Sequence, residues 1–264
     1  MDLGIKGRLA LVTGSTLGIG RAIAETLVAE GARVIVNGRR EKAVGETVAA
    51  LSRLGEAHGI AADLVTPEGA RSVAEGAARI GAVDILVNNV GYFEVKPFAD
   101  ITDKDWLEMF ELNVMSGVRL TRTLFPGMLK RNWGRVVFIA SEQSAKPNPD
   151  MLHYAMSKTA QVAVARGLAE LTKGTGVTVN SVLVAPTWSE GVGVFLEKAA
   201  PAAGKTVGEM RAAYFDGPGA SSLLQRWAEP GEIAAQVAFL CSERASAING
   251  AAQRVDGGIV RSLF

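Results

Sequence analysis

Two kinds of hydrophobic run alternate along this chain. Short, mostly apolar stretches recur at Arg8–Thr13, Arg33–Asn37, Ala57–Ala62, Asp84–Asn88, Arg135–Ala140, Val177–Val184 and, less distinctly, Ala252–Val255. They are too short for helices and most are rich in Val and Ile, so they predict strands. Between them, apolar residues recur at helical spacing over Gly20–Glu30, Lys42–Leu54, Pro67–Ile80, Asp105–Lys130 and Tyr154–Lys173. The runs "VDILVN" and "GRVVFIA" have no polar face, as expected of strands covered by helices on both sides of a parallel sheet. Strand–helix alternation over this length predicts an α/β, Rossmann-type fold: a doubly wound, seven-stranded parallel sheet with helices on both faces. From Pro186 to Trp227 the alternation breaks. Gly, Ala and Pro dominate there and the helical signals are weak, which predicts a loop excursion serving as a substrate lid. The rest reads as a single domain over residues 1–264.

Composition narrows the class. Hydrophobic residues make up 48% and charged residues 21%, enough for a large core. The formal net charge of +1 supplies no global field for nucleic acid or an anionic membrane. No run of about 18 uncharged apolar residues occurs, and "MDLGIKGRLALVTG" carries no signal-peptide pattern. The expectation is a soluble, cytoplasmic protein. Cys241, the only cysteine, lies in the apolar run "EIAAQVAFLCSE" and reads as a small buried hydrophobe. His58 falls in a strand, and with His153 and Cys241 it forms no ligand-spaced cluster, so no metal is expected.

Two features carry candidate chemistry. In "HYAMSKTA", Tyr154 and Lys158 stand four residues apart on a helical run and share one face. Taken alone the pair suits a helix surface. With the right surroundings, an ammonium could bring a phenol, ordinarily ionising near ~10, into use as an acid or base. His153 lies about 100° around that helix and takes no catalytic role. The second feature is "TGSTLGIG", Thr13 to Gly20, between the first strand and the first helix. Glycines there permit a tight turn, close approach to a pyrophosphate and close helix packing, and the helix N-terminus favours an anion.

Together "TGSTLGIG", "NNVG" at Asn88–Gly91, Asn113, Ser141 and "YAMSK" resemble the short-chain dehydrogenase/reductase family, over about Arg8 to Gly258. The resemblance implies an oxidoreductase interconverting a ketone and a secondary alcohol by hydride transfer. It implies that Tyr154 passes the proton, that Lys158 lowers the pKa of Tyr154 and bonds the nicotinamide ribose, that Ser141 positions the reacting oxygen, and that Asn113 anchors a proton-relay water. It assigns the cofactor to Gly14, Ser15, Thr16, Gly18, Ile19, Gly20, Leu64, Asn89, Val90 and Gly91, with Asp63 on the adenine and Ser189 on the nicotinamide amide. Asp63 also reads as a cap for the next helix. Val90 replaces the family's usual alanine, and Val184-Ala185 its usual Pro-Gly. The resemblance further implies a homotetramer or homodimer paired through the helices of Asn113 and Tyr154.

Position 38 is Gly, leaving no carboxylate to repel a 2′-phosphate, and Arg39 and Arg40 follow, so the cofactor is read as NADP rather than NAD. Leu17 weighs the other way, because NADP-preferring members often carry a basic residue in the loop. Segments after the fourth, fifth and sixth strands nominate Tyr92, Glu142, Gln143 and Trp188 for the substrate, a small carbonyl compound or alcohol, beside Phe93, Met151, His153, Phe195 and Leu196. Two alternatives stay open: a non-catalytic dinucleotide sensor, and a beta-ketoacyl-carrier-protein reductase using Arg122, Lys130, Arg131 and Arg135 to dock an acidic carrier.

Overall fold

Seven parallel strands form one sheet among the described residues, 2–263, of this computed structural model. They are β1 (Leu9–Val12), β2 (Arg33–Gly38), β3 (Ala57–Ala61), β4 (Ile85–Asn88), β5 (Gly134–Ile139), β6 (Val177–Val184) and β7 (Ala252–Val255). The order is β3-β2-β1-β4-β5-β6-β7, and each matches its expected run to within a residue at either end. The direction of winding reverses between β1 and β4, and such a switch point opens a crevice at the carboxyl ends of the strands. His58 lies on β3, an edge strand.

Side chains alternate across the sheet, so β1 feeds both cores. Ala10 and Val12 pack with Ile23, Leu27, Val44, Ile233 and Val237; Leu9 and Leu11 pack with Val73, Leu120, Phe125 and Ala165. The first set lies on α1 (Gly18–Ala29), α2 (Glu41–Leu51) and α9 (Pro230–Leu240). The second lies on α3 (Pro67–Ile80), α5 (Ser116–Lys130) and α6 (Leu152–Glu170). Cys241 is buried, and its thiol is pushed up to about 12, chiefly by that burial.

Four features depart from the sequence expectation. The helix expected over Asp105–Lys130 is α4 (Asp103–Phe110), a π-helical turn over Glu111–Met115, and then α5. Asp63 does not cap α3: Thr66 does, accepting the Gly69 N–H at 3.0 Å, while Asp63 accepts from Val65 N. The loop expected at 186–227 holds α7 (Glu190–Ala203) and α8 (Val207–Ala213). Ser189 caps α7, Gly204 ends it at φ +60, and Thr206 with Glu209 closes a reciprocal capping box on α8. Arg135 is no surface docking residue. It is 2% exposed on β5, donates to the carbonyls of Ser242, Gly134 and Gly176, and stacks on Trp133.

Candidate active site

The glycine loop after β1 is held open from beneath. Ser15 donates to the Val12 carbonyl at 2.7 Å and accepts the Asn37 N–H at 3.1 Å, tying the loop to β2. Its side chain is fully buried, so it shapes the loop and offers no hydroxyl to a ligand. Gly14 and Gly18 adopt φ +60 and +59, in the region where a side chain is strained. Gly20 answers a different need: a Cβ there would lie 2.4 Å from the Gly14 carbonyl oxygen and 2.4 Å from Asn89 Nδ2. Asn89 bridges the ends of β4 and β1 by donating to the carbonyls of Thr13 and Gly14. Leu64 is a core residue, whereas Thr16 and Ile19 are half-buried around the loop.

No side chain caps α1, so its first N–H groups lack a local partner. One of them finds a distant one: Gly18 N donates to the Glu190 carboxylate at 2.9 Å. A carboxylate thus stands at the helix terminus, as an anion would. Ser189, beside it, has its hydroxyl turned back onto Val192 N.

The reactive group lies at the carboxyl ends of β4 and β5. Ser141 follows β5, and Tyr154 and Lys158 share one face of α6. Lys158 is 4% exposed and donates to the Ile139 carbonyl at 2.8 Å and to Gln161 Oε1 at 3.0 Å. Burial lowers its pKa to about 7. Its Nζ lies 5.8 Å from the centroid of the Tyr154 ring. Gly91 leaves room beside that ammonium, since a Cβ there would lie 3.2 Å from Nζ.

Asn113 sits in the π turn, and the turn explains its connections. A π turn takes the backbone out of the ordinary i→i−4 ladder. The Asn113 carbonyl accepts Gln161 Nε2 at 2.6 Å, while its side chain donates to the Tyr92 carbonyl and Ser157 and accepts the Tyr92 N–H. Gln161 therefore joins Asn113 to Lys158 through its two ends.

Ser141 is bound differently from the expectation. Its hydroxyl donates to Glu142 Oε2 at 2.5 Å, and Gln143 Nε2 donates to Glu142 Oε1 at 3.1 Å. Glu142 is 5% exposed, and its pKa is raised by burial despite these bonds. The Tyr154 phenol is raised as well, first by burial and then by the Glu142 carboxylate, with Ser141 acting the other way. The expected lowering of Tyr154 by Lys158 is not seen: burial disfavours the Lys158 charge, and two of its N–H bonds go to Ile139 and Gln161.

Aromatic rings wall one side. Phe93 meets Tyr154 edge-on at 6.2 Å and Phe195 of α7 at 5.2 Å. Tyr214, which sequence reasoning missed, is half-buried, and its phenol is raised first by desolvation and then by the Glu142 carboxylate. Its only signal was aromaticity in a stretch read as a loop. Trp188 packs instead on Arg211 and Trp227, Leu196 is buried, and Tyr92 is exposed. His153 is enclosed against Trp106 and Glu94, away from the wall it was nominated for, and Met151 is half-buried just before α6. Arg39 and Arg40 are exposed at the end of β2, and Asp63 is exposed after β3. Among the described residues no group of three or more His, Cys, Asp or Glu could hold a metal, and no helix is long and apolar enough to cross a membrane.

Known proteins share both sequence and architecture. Residues 8–197 match the family described as short chain dehydrogenase. YvrD, an oxidoreductase of Bacillus subtilis strain 168, is 53% identical over 263 residues and spans 100% of both chains. The 3-oxoacyl-[acyl-carrier-protein] reductase FabG of Escherichia coli K12 is 34% identical, covering 97% of this chain and 99% of the relative. The crystal structure of L-sorbose reductase from Gluconobacter frateurii, complexed with NADPH and L-sorbose, superposes with a TM-score of 0.94 at 32% identity, over 100% of both chains.

Proposed function

The chain belongs to the short-chain dehydrogenase/reductase family of oxidoreductases, and from that premise we propose that it interconverts a ketone and a secondary alcohol with NADP(H), using Tyr154 as the proton carrier. The observation that carries this reading is the convergence of Ser141, Tyr154 and Lys158 at the switch-point end of the sheet, beside an α1 terminus that already holds a carboxylate. The residues suit a dinucleotide: Gly14 and Gly18 keep backbone at the loop surface, and Gly91 leaves space next to Lys158. When bound, the nicotinamide would donate hydride to, or accept it from, the substrate carbon.

The chain's own groups would do the rest. In reduction, the Tyr154 hydroxyl gives its proton to the carbonyl oxygen as negative charge develops there. Ser141 orients that oxygen once its hydroxyl turns from Glu142. Lys158, with a pKa near 7, sits where a proton can be replaced at neutral pH, and Asn113 and Gln161 fix it in place. Residues 186–227 would act as the lid, carrying Phe195 and Tyr214 over the substrate. Arg39 would bond the 2′-phosphate. The test is a panel of ketones and alcohols with NADPH, NADH and their oxidised forms, followed by cofactor absorbance. Turnover by wild type and not by Tyr154→Phe is expected; equal turnover by the two would refute the assignment.

A further inference from the structure

Glu142 has an environment that its fold alone does not account for. It is a carboxylate with almost no exposure, and its partners are local: the side chains of Ser141 and Gln143 on either side of it in sequence, and the backbone of Glu142 and Gln143. Among the described residues no Lys or Arg pairs with it, and Lys158 bonds Ile139 and Gln161 instead. Burying a carboxylate without a cation costs several kcal/mol, and an amide or an apolar side chain would fill the space at lower cost. A carboxylate can accept about four hydrogen bonds; Ser141, Gln143 and the backbone of Glu142 and Gln143 supply them here, and the bond from Ser141 is given up when that hydroxyl turns to the substrate oxygen.

Its orientation is built, not accidental. The Asn148 N–H donates to Gln143 Oε1 at 2.7 Å, which turns the amide so that Nε2 must face Glu142. Oε2 is held at the Ser141 hydroxyl, next to the oxygen that reacts. Burial raises the phenols of Tyr154 and Tyr214, and the Glu142 carboxylate adds to the rise in both. Beside Tyr154 stands Phe93, which packs edge-on against Phe195.

Resting on the reading of the chain as a ketone–alcohol oxidoreductase, we infer that Glu142 accepts a hydrogen bond from a substrate hydroxyl on the carbon next to the reacting one, so that the substrates are hydroxyketones and their vicinal diols or polyols. The geometry joins the two sites: Ser141, which positions the carbonyl oxygen, and Glu142, which would receive the adjacent hydroxyl, are consecutive residues in direct contact. A plain ketone would leave unfilled the position on the buried carboxylate that Ser141 vacates, and would lose affinity in the transition state for that reason. Gln143 is a positioning residue in this scheme, acting through Glu142.

The experiment compares hydroxyacetone with butanone, which differ by a hydroxyl in place of a methyl, in wild type, Glu142→Gln and Glu142→Ala. Wild type should favour hydroxyacetone in kcat/KM by about 10- to 100-fold, the range for a hydrogen bond to a charged group. Glu142→Ala should bring the ratio near one, and Glu142→Gln, the same size but neutral, should fall between them. Cofactor titration of each variant verifies that it is folded, and Glu142→Gln carries the test if Glu142→Ala does not fold. Butanone reduced as well as hydroxyacetone, or a preference unchanged in both variants, overturns this inference and leaves the oxidoreductase reading standing. Turnover of neither ketone and of neither corresponding alcohol overturns both.

Discussion

The Glu190 carboxylate accepts the Gly18 N–H at 2.9 Å, joining the first turn of α7 to the first turn of α1 across 172 residues of sequence. The bond places a negative charge at the helix end where a dinucleotide phosphate would sit, and the two anions would compete for it. Glu190→Gln should therefore tighten NADPH binding, by about 3- to 10-fold, the scale of a partly exposed charge effect at a helix end. The gain should shrink as salt rises. Fluorescence titration of NADPH at two salt concentrations measures it. Unchanged or weakened binding would mean that the carboxylate and the phosphate do not meet.

Lys158 makes a prediction about pH and stability. Burial lowers its pKa from the ordinary 10.5 to about 7 in the folded protein. Between those values the unfolded chain holds a proton that the folded chain does not, so this group favours folding increasingly as pH rises from 7 toward 10.5. As pH falls through 7 the folded protein must take the buried charge, and that advantage is gone. Each unit of the gap corresponds to about 1.4 kcal/mol. Lys158→Met has no such titration, so wild type should gain stability relative to the variant between neutral and alkaline pH. Urea unfolding of both proteins at each pH gives the difference; a constant difference would contradict the shift.

Much of this was legible in the sequence because its causes are local. Strand runs, the glycine loop and the Tyr154–Lys158 spacing each express a short-range rule, and each lies where that rule puts it. The helices at 190–213 were also partly legible: "TVGE" spells the capping box that Thr206 and Glu209 form, and Gly content concealed it. What could not be read depends on distant partners. The π turn at Asn113 has no hydrophobic period of its own; the Gln161 side chain takes up the carbonyl in that turn. Arg135 looks like surface charge until three carbonyls and Trp133 close around it. Glu190 and Tyr214 reach the site only through the path of the chain.

Tyr154→Phe separates chemistry from binding. The ring keeps its edge contact with Phe93, so packing should survive. The proton that reduction requires is gone, and general acid–base catalysis contributes typically about 10²–10⁴-fold. The expected outcome is a loss of kcat in that range with NADPH affinity within about tenfold of wild type, since a single neutral hydrogen bond contributes typically about 0.5–1.5 kcal/mol. Single-turnover rates and a cofactor titration decide it. A variant keeping half of the wild-type kcat would remove Tyr154 from the reaction.

The proposed reading of the 2′-phosphate by Arg39 can be tested, and the structure shows why its neighbour is a poor place to do so. Gly38 ends β2 beneath the glycine loop, where a Cβ would lie 2.6 Å from Thr16 Cγ2 and 3.3 Å from Val44 Cγ2. Gly38→Asp would thus push on the loop that holds either cofactor, and should weaken NADPH and NADH together. Arg39 is exposed beyond the strand, free to meet a 2′-phosphate without disturbing the core. Removing a hydrogen bond to a charged group costs roughly 1.5–3 kcal/mol, about one to two powers of ten in affinity. Arg39→Leu should therefore lower kcat/KM for NADPH by about 10- to 100-fold and leave NADH nearly unchanged. Arg40→Leu should do less, because Arg40 is the N-cap residue of α2, one position farther from the strand end. Both cofactors measured with one saturating substrate give the answer. Equal losses for NADPH and NADH in Arg39→Leu, or a wild type that prefers NADH, would show that Arg39 does not read the phosphate.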